Sequence, residues 1–281
     1  MTGQLDRIIE LEKLYNTSKS KSSSKIVAIA SGKGGTGKTF FAANWAFHLS
    51  NTKKVLLVDL DFNLANVHLL FNSHPQKTLT DYFESRCLFE DVITKHNSNL
   101  HLIYGEAGYS ERSVPAVEQI NKMFNEINQL SDIYDIILLD LGAGISKENI
   151  CVLTHSDIKI IVATPEPTSL MDAYVVIKQL KFHSFEENIF LAINRVVEVS
   201  EAEQAFDNLK TAVNHFLKTK IEFLVNIPES MQIRKSIIEQ NLYTEHQKND
   251  DVSRAFVLAE RRINKINQVL NINHSSFIPS I

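Results

Sequence analysis

A chain of 281 residues with 44% hydrophobic content can bury one substantial core without dividing into two domains. Its net charge of −4 carries no general polyanion-binding signature. Two widely separated cysteines, Cys87 and Cys151, with no C-x-x-C spacing, argue against a disulfide framework or a zinc site and fit a reducing cytosol.

In chain order, residues 1–24 stand apart. Leu5, Ile8, Leu11 and Tyr15 fall at helical spacing, with Ile9 and Leu14 widening the stripe, and Asn16 to Ser24 reads as a flexible polar linker. A short tethered helix cannot bury such a stripe alone, so it either packs on its own domain or serves a partner. The opening stretch carries acids throughout and lacks a signal-peptide core, and no apolar run approaches the roughly 18 residues of a membrane span. A cytoplasmic protein is expected.

Lys25 to Ala30 predicts a buried strand, and Thr39 to Leu49 a helix. Between them runs Gly32-Lys33-Gly34-Gly35-Thr36-Gly37-Lys38-Thr39, a G-x-x-x-x-G-K-T loop. Glycines let its backbone wrap so that N–H groups, through that of Phe40, face anionic oxygens at the positive end of the helix dipole. Lys38 is expected to reach the β- and γ-phosphates of a nucleotide, and the Thr39 hydroxyl to complete a Mg²⁺ shell. Lys33 is a second lysine that one phosphate cradle does not require. It is either a solvated surface charge or a cation near the γ-phosphate of its own or a facing subunit.

Beyond the loop, apolar runs at 55–59, 100–104, 136–140, 158–162, 189–193 and 221–225 alternate with helical patterns near 114–130, 168–183, 201–218 and 231–241, with a closing helix at 252–270. Near-continuous apolar strands separated by helices predict an α/β fold. It is a three-layer, doubly wound, mostly parallel sheet covered on both faces. Its ligand should lie beyond the carboxyl ends of the strands. Two of those ends carry acids, Asp59-Leu-Asp61 and Asp140. A carboxylate ending a buried strand needs a cation or hydrogen-bond donors, and Mg²⁺ with its waters is the natural partner beside a phosphate loop. The alternative is that these acids cap the following helices. Asn194 ends another strand, where its amide is either a base-edge partner or a turn asparagine.

The K-G-G-x-G-K-T loop resembles the MinD/ParA family of P-loop ATPases. The resemblance implies ATP as ligand, Mg²⁺, and an ATP-sandwiched homodimer in which Lys33 reaches the facing subunit. By the family's D-x-D switch I, Asp61 positions the attacking water, and Asp59 and Asp140 are direct or indirect Mg²⁺ ligands. Asp140 with Gly144 is similar to a D-x-x-x-G switch II whose glycine N–H senses the γ-phosphate. Asn194-Arg195 matches the base-binding N-R segment, and Asn226-Ile-Pro228 the loop flanking the purine. Leu64-Ala-Asn-Val67, Gly142 to Ser146, Thr164 to Tyr174, and Ile227-Pro-Glu followed by Ile233-Arg-Lys235 and Gln240 narrow the resemblance to the FlhG branch, over about residues 25–270. That branch implies regulation of flagellar number or placement, slow partner-regulated ATP hydrolysis, and an FlhF-like GTPase bound through residues 1–24. Gln4 to Leu11 keeps only a loose version of the branch's D-Q-A-x-x-L-R motif. Flagellar switch proteins or a transcription regulator are further implied partners.

The chain departs from the pattern at Asn63, usually Gly, and His68, usually Asp. The tail, residues 271–281, lacks lysine and arginine, so its Phe277-Ile278 gives only weak support for membrane association. Arg254, Arg261 and Lys265 suggest a solvated helix face rather than DNA binding. The alternatives are a MinD/ParA-type division-site or cargo-positioning ATPase, or a metabolic P-loop enzyme. Two unclustered cysteines disfavour the iron–sulfur version of the latter.

Overall fold

The computed structural model describes residues 24–62, 65–106, 114–185 and 187–275. Eight strands form one sheet: β1 Lys25–Ser31, β2 Val55–Leu60, β3 Ile93–Lys95, β4 Leu100–Ile103, β5 Ile136–Ala143, β6 Ile158–Ala163, β7 Ile189–Val196 and β8 Glu222–Pro228. Their spatial order is β3-β4-β2-β5-β1-β6-β7-β8, and only β3 runs antiparallel, along β4. Every apolar run read as a strand is one. β3 has no counterpart in that reading, since three half-exposed residues carry no periodic signal.

Side chains alternate across the sheet and feed two cores. Val27 and Ile29 of β1 face one core while Ile26, Ala28 and Ala30 face the other. Both are apolar because helices cover both faces, which is why β1 reads as an unbroken apolar run.

The helices are α1 Lys38–Leu49, α2 Val67–Leu70, α3 Leu79–Phe83, α4 Val117–Gln129, α5 Lys147–Thr154, α6 Pro167–Phe182, α7 Val199–Ala212, α8 Met231–Ile238, α9 Tyr243–His246 and α10 Asp251–Ser275. α4, α5, α6 and α7 cover one face. α1, α9 and α10 cover the other, where Phe41 packs on Trp45 and Phe256. Each such buried ring is worth about 2–3 kcal/mol. α1 is apolar all round because it lies between the sheet and α9 and α10. Its one buried amide, Asn44, is satisfied by the Phe40 carbonyl and by Thr244.

The expected helix at 201–218 ends early. α7 stops at Ala212, and Val213–Leu217 continues as a π-helical turn closed by Lys218 in the left-handed region, φ 54°. Val252, Phe256, Ala259 and Ile263 of α10 pack against the core as their spacing predicted, but α10 runs on past residue 270 to Ser275. The amphipathic stretch before Ser24, the departure at Asn63, and Phe277-Ile278 lie outside the described residues. Among the described residues, no helix is long and apolar enough to cross a membrane.

Candidate functional site

The strand order sets the site. β5 lies between β1, which leads into the phosphate loop, and β2, so the carboxyl ends of all three meet. Asp59 and Asp140 sit side by side in the β2–β5 register.

Lys38 opens α1 and is buried, 7% exposed, with its Nζ 3.0 Å from Asp140 Oδ1. Burial pushes the Asp140 carboxyl up from its ordinary value, against the pull of the Lys38 ammonium and of hydrogen bonds from Lys38 and Thr39. Its second oxygen, Oδ2, is buried with no hydrogen-bond partner. An orphan carboxylate oxygen beside the Thr39 hydroxyl is the donor pair a Mg²⁺ ion needs from protein, the rest of its shell coming from phosphates and water. The residues fit the ion. No cluster of three or more His, Cys, Asp or Glu among the described residues forms an all-protein cage, and Mg²⁺ does not require one.

Asp59 is occupied differently. Its Oδ1 accepts from the Asp61 N–H, and its Oδ2 from the N–H groups of Asn66 and Val67. Burial, and then the neighbouring Asp140 charge, push its carboxyl up to about 7. Asp59 therefore organises the turn after β2, in line with the capping alternative raised by the sequence. Asp61 is half-buried against the end of β5: a Cβ added at Gly142 would lie 3.3 Å from its Oδ1. His68, on α2, has its pKa lowered by burial and then by His74.

The loop glycines have local causes. Gly37 has φ 89°, and a Cβ there would fall 2.0 Å from Asn194 Nδ2. That same Nδ2 donates to the Thr36 carbonyl at 2.8 Å. Asn194 is buried, and its amide nitrogen holds the phosphate loop to β7. A sequence cannot say which of two neighbours a strand-end amide faces. Arg195 is exposed, in the left-handed region at φ 59°, and Pro228 pairs with Val196 beside it. A non-glycine residue held there is backbone strain of the sort found at ligand sites.

Gly144, at φ 90°, donates its N–H to the Ser31 carbonyl at 2.9 Å rather than leaving it free for a phosphate. Asn149, on α5, holds the same segment by donating to the Gly142 and Gly144 carbonyls at 2.9 and 3.1 Å. Nothing in the sequence singled out Asn149, because a helical asparagine has no local signature for distant carbonyls.

Lys33 points away from its own cradle. Its Nζ donates to Glu166 Oε2 at 2.8 Å and Thr168 Oγ1 at 3.2 Å, at the start of α6, and it stays a third exposed. The hydrogen bond from Lys33, and its charge, hold the Glu166 carboxyl below the usual range. The Thr164–Tyr174 stretch stood out in the sequence, but no role was read for Glu166. On α10, Arg254 pairs with the exposed Asp251, and Arg262 donates to the Phe223 and Leu224 carbonyls. Cys151 sits on α5 near Asn121 and His155 and is only partly exposed.

The AAA domain family profile matches residues 24–193. The chain is 28% identical to the flagellum site-determining protein YlxH of Helicobacter pylori, covering 88% of this chain and 84% of that one. It is 27% identical to the antiactivator FleN of Pseudomonas aeruginosa, covering 85% and 86%. Among solved structures, the septum site-determining protein MinD of Pyrococcus horikoshii, complexed with Mg-ADP, superimposes with a TM-score of 0.71 at 26% identity over 88% of this chain and 98% of that one. The chain belongs to the AAA domain family, as one of its ATP-binding MinD/ParA-type P-loop ATPases. Within that class it is a FlhG-like member, the group to which YlxH and FleN belong.

Proposed function

We propose that this protein is an ATP-dependent dimerising switch that regulates the number or placement of flagella through slow, partner-stimulated hydrolysis. The observation that carries the reading is the division of labour between the two loop lysines. Lys38 is buried and committed to the phosphate floor, while Lys33 lies on the outer lip, held by an exposed contact that a second subunit can replace.

In this reading the backbone N–H groups from Gly34 to Phe40, together with Lys38, grip the triphosphate. Mg²⁺, held through Thr39 and Asp140, would neutralise charge on the phosphates. Asp61 orients the attacking water from beside Gly142. Lys33 leaves Glu166 and Thr168 for the γ-phosphate of the facing subunit. The Gly144 N–H exchanges the Ser31 carbonyl for the γ-phosphate, and that exchange is what the partner would sense. Arg195 and Pro228 flank the base, and ATP is favoured over GTP on family resemblance. Residues 1–24 would engage an FlhF-like GTPase, with a flagellar switch protein or transcription regulator as effector. DNA is disfavoured by the chain's net charge of −4.

Sizing by light scattering tests the reading. Asp61→Ala should trap an ATP-dependent dimer that the unaltered chain forms only transiently. Lys33→Ala should bind ATP within a few-fold of normal yet remain monomeric. A Lys33→Ala protein that dimerises and turns over normally reduces the site to a plain nucleotide pocket.

A further inference from the structure

Past Leu141, β5 runs beyond most of its ladder. It stays in register with β2 only as far as the Leu60–Leu141 pair, and its register with β1 shifts between Ile29 and Ser31 before Ser31 meets Ala143. Gly142 is nevertheless buried, and a buried carbonyl without a donor is costly. Asn149 supplies the donor. Its Nδ2 reaches the carbonyls of Gly142 at 2.9 Å and of Gly144 at 3.1 Å. One amide nitrogen carries two N–H groups, enough to serve both carbonyls at once.

That amide stands on a firm mount. Asn149 is 4% exposed and lies in the first turn of α5, where its own backbone N–H donates to the Ser146 hydroxyl at 3.2 Å. α5 buries Ile150, Val152 and Leu153 and packs against α4, α6 and β1. Asn44 is the comparison: equally buried in a helix, it serves the Phe40 carbonyl of its own helix and Thr244. Asn149 differs in the residues whose carbonyls it holds. Gly142 is the residue against which Asp61 leans, with 3.3 Å between Asp61 Oδ1 and a Cβ built there. Gly144 is the residue whose N–H rests on the Ser31 carbonyl at 2.9 Å. A single side chain thus fixes the backbone beneath the water-orienting carboxylate and the backbone that carries the phosphate-sensing N–H.

We propose that Asn149 is a positioning residue for ATP hydrolysis, setting the placement of Asp61 and of the Gly144 N–H through the backbone between them. It rests on the roles that the switch reading gives to those two groups. Phosphoryl transfer to water asks a protein for positioning and charge stabilisation rather than covalent chemistry. A misplacement near 1 Å of a group that aligns the reactants costs on the order of a hundredfold in rate. Asn149 acts only through Gly142 and Gly144. The loop from Gly34 to Phe40, which would grip ADP, lies outside its reach, so binding of the product should not depend on it.

Single-turnover ATP hydrolysis by the full chain, beside calorimetric titration with ADP, provides the test. Asn149→Ala, and Asn149→Asp, whose carboxylate keeps the shape but cannot donate, should lower the rate constant at saturating ATP at least about tenfold. The ADP Kd and the ATP concentration at half-maximal rate should stay within roughly threefold. A side chain that only supports the fold would lower the thermal midpoint and leave the rate of the folded protein unchanged. Ser146→Ala alters an exposed side chain and keeps the fold even where Asn149→Ala does not. By freeing the first turn of α5 it should slow hydrolysis by about threefold. The proposal falls if Asn149→Ala hydrolyses ATP within about twofold of the unaltered rate, or if ADP affinity drops in step with the rate. Where Asn149→Ala does not fold, an unaltered rate in Ser146→Ala overturns it. Asp61→Ala, run alongside, separates the two readings. If Asp61→Ala is slow while Asn149→Ala is not, only the role of Asn149 is lost. If Asp61→Ala hydrolyses at the unaltered rate, the switch reading fails and takes the role of Asn149 with it.

Discussion

The floor and the lip of the phosphate loop hold their lysines by opposite means. On the floor, Lys38 and Asp140 are both buried and 3.0 Å apart, so losing either partner strands the other. On the lip, the Lys33–Glu166 pair is 2.8 Å long but solvated, with Glu166 62% exposed, and pairs of that kind contribute about 0–1 kcal/mol. The contrast teaches which group can change partner. A cation in a dry, paired site is fixed by the fold, whereas a cation in a wet pair is parked at little cost and can be moved by any better anion.

That contrast can be broken most directly at the floor. Lys38→Ala should weaken nucleotide binding by roughly a hundredfold or more, measured by calorimetry. It should also cost about 3–5 kcal/mol of stability at alkaline pH, because Asp140 is left buried and unpaired. The cost should shrink as the pH falls, since Asp140 can then take up a proton.

A smaller effect sharpens the electrostatics of the same floor. The folded Asp59 carboxyl sits at about 7 against an ordinary 3.8, so the folded state keeps a proton that the unfolded chain has released. The stability that this protonation provides is present at low pH and is lost as the pH rises through about 7. Asp59→Asn removes the titration, so the stability of the variant relative to the unaltered chain should rise between pH 5 and pH 8, by up to about 1.4 kcal/mol per pH unit below 7. Urea midpoints across that range give the slope. A flat difference would mean that Asp59 is already ionised in the folded nucleotide-free protein.

The smallest effect belongs to the lip. Glu166→Gln should leave the thermal midpoint within about two degrees, as expected for an exposed pair. Freed from its counter-charge, Lys33 should then support ATP-dependent self-association at a lower protein concentration, by a few-fold, in a sedimentation titration. A large loss of stability would instead make the pair a structural bond.

What the sequence made legible was local. The strand, loop and helix around Lys38 are contiguous, and each apolar run from Val55 to Val225 carries its own period, so the sheet and the phosphate loop could be read in advance. Asp59 and Asp140 were legible as acids ending buried strands, but their different occupations depend on which backbone N–H groups fold back, and that is settled only in three dimensions. Asn149, Asn194 and Glu166 hold partners 5 to 158 residues away, and no periodicity marks such bonds. The π-helical turn escaped for a related reason: its residues continue a helical apolar pattern, and only the widened turn after Ala212 reveals that the register has changed.

Gly32 carries one more consequence. A Cβ at that position would come within 2.3 Å of the Asp172 main chain, so the loop and α6 touch backbone to backbone with nothing compressible between them. A reporter dye placed on the exposed Met171 would thus ride on the same rigid block as the fuel cradle. Such a labelled protein would serve as an optical gauge of nucleotide arrival without any alteration to the chemistry it watches.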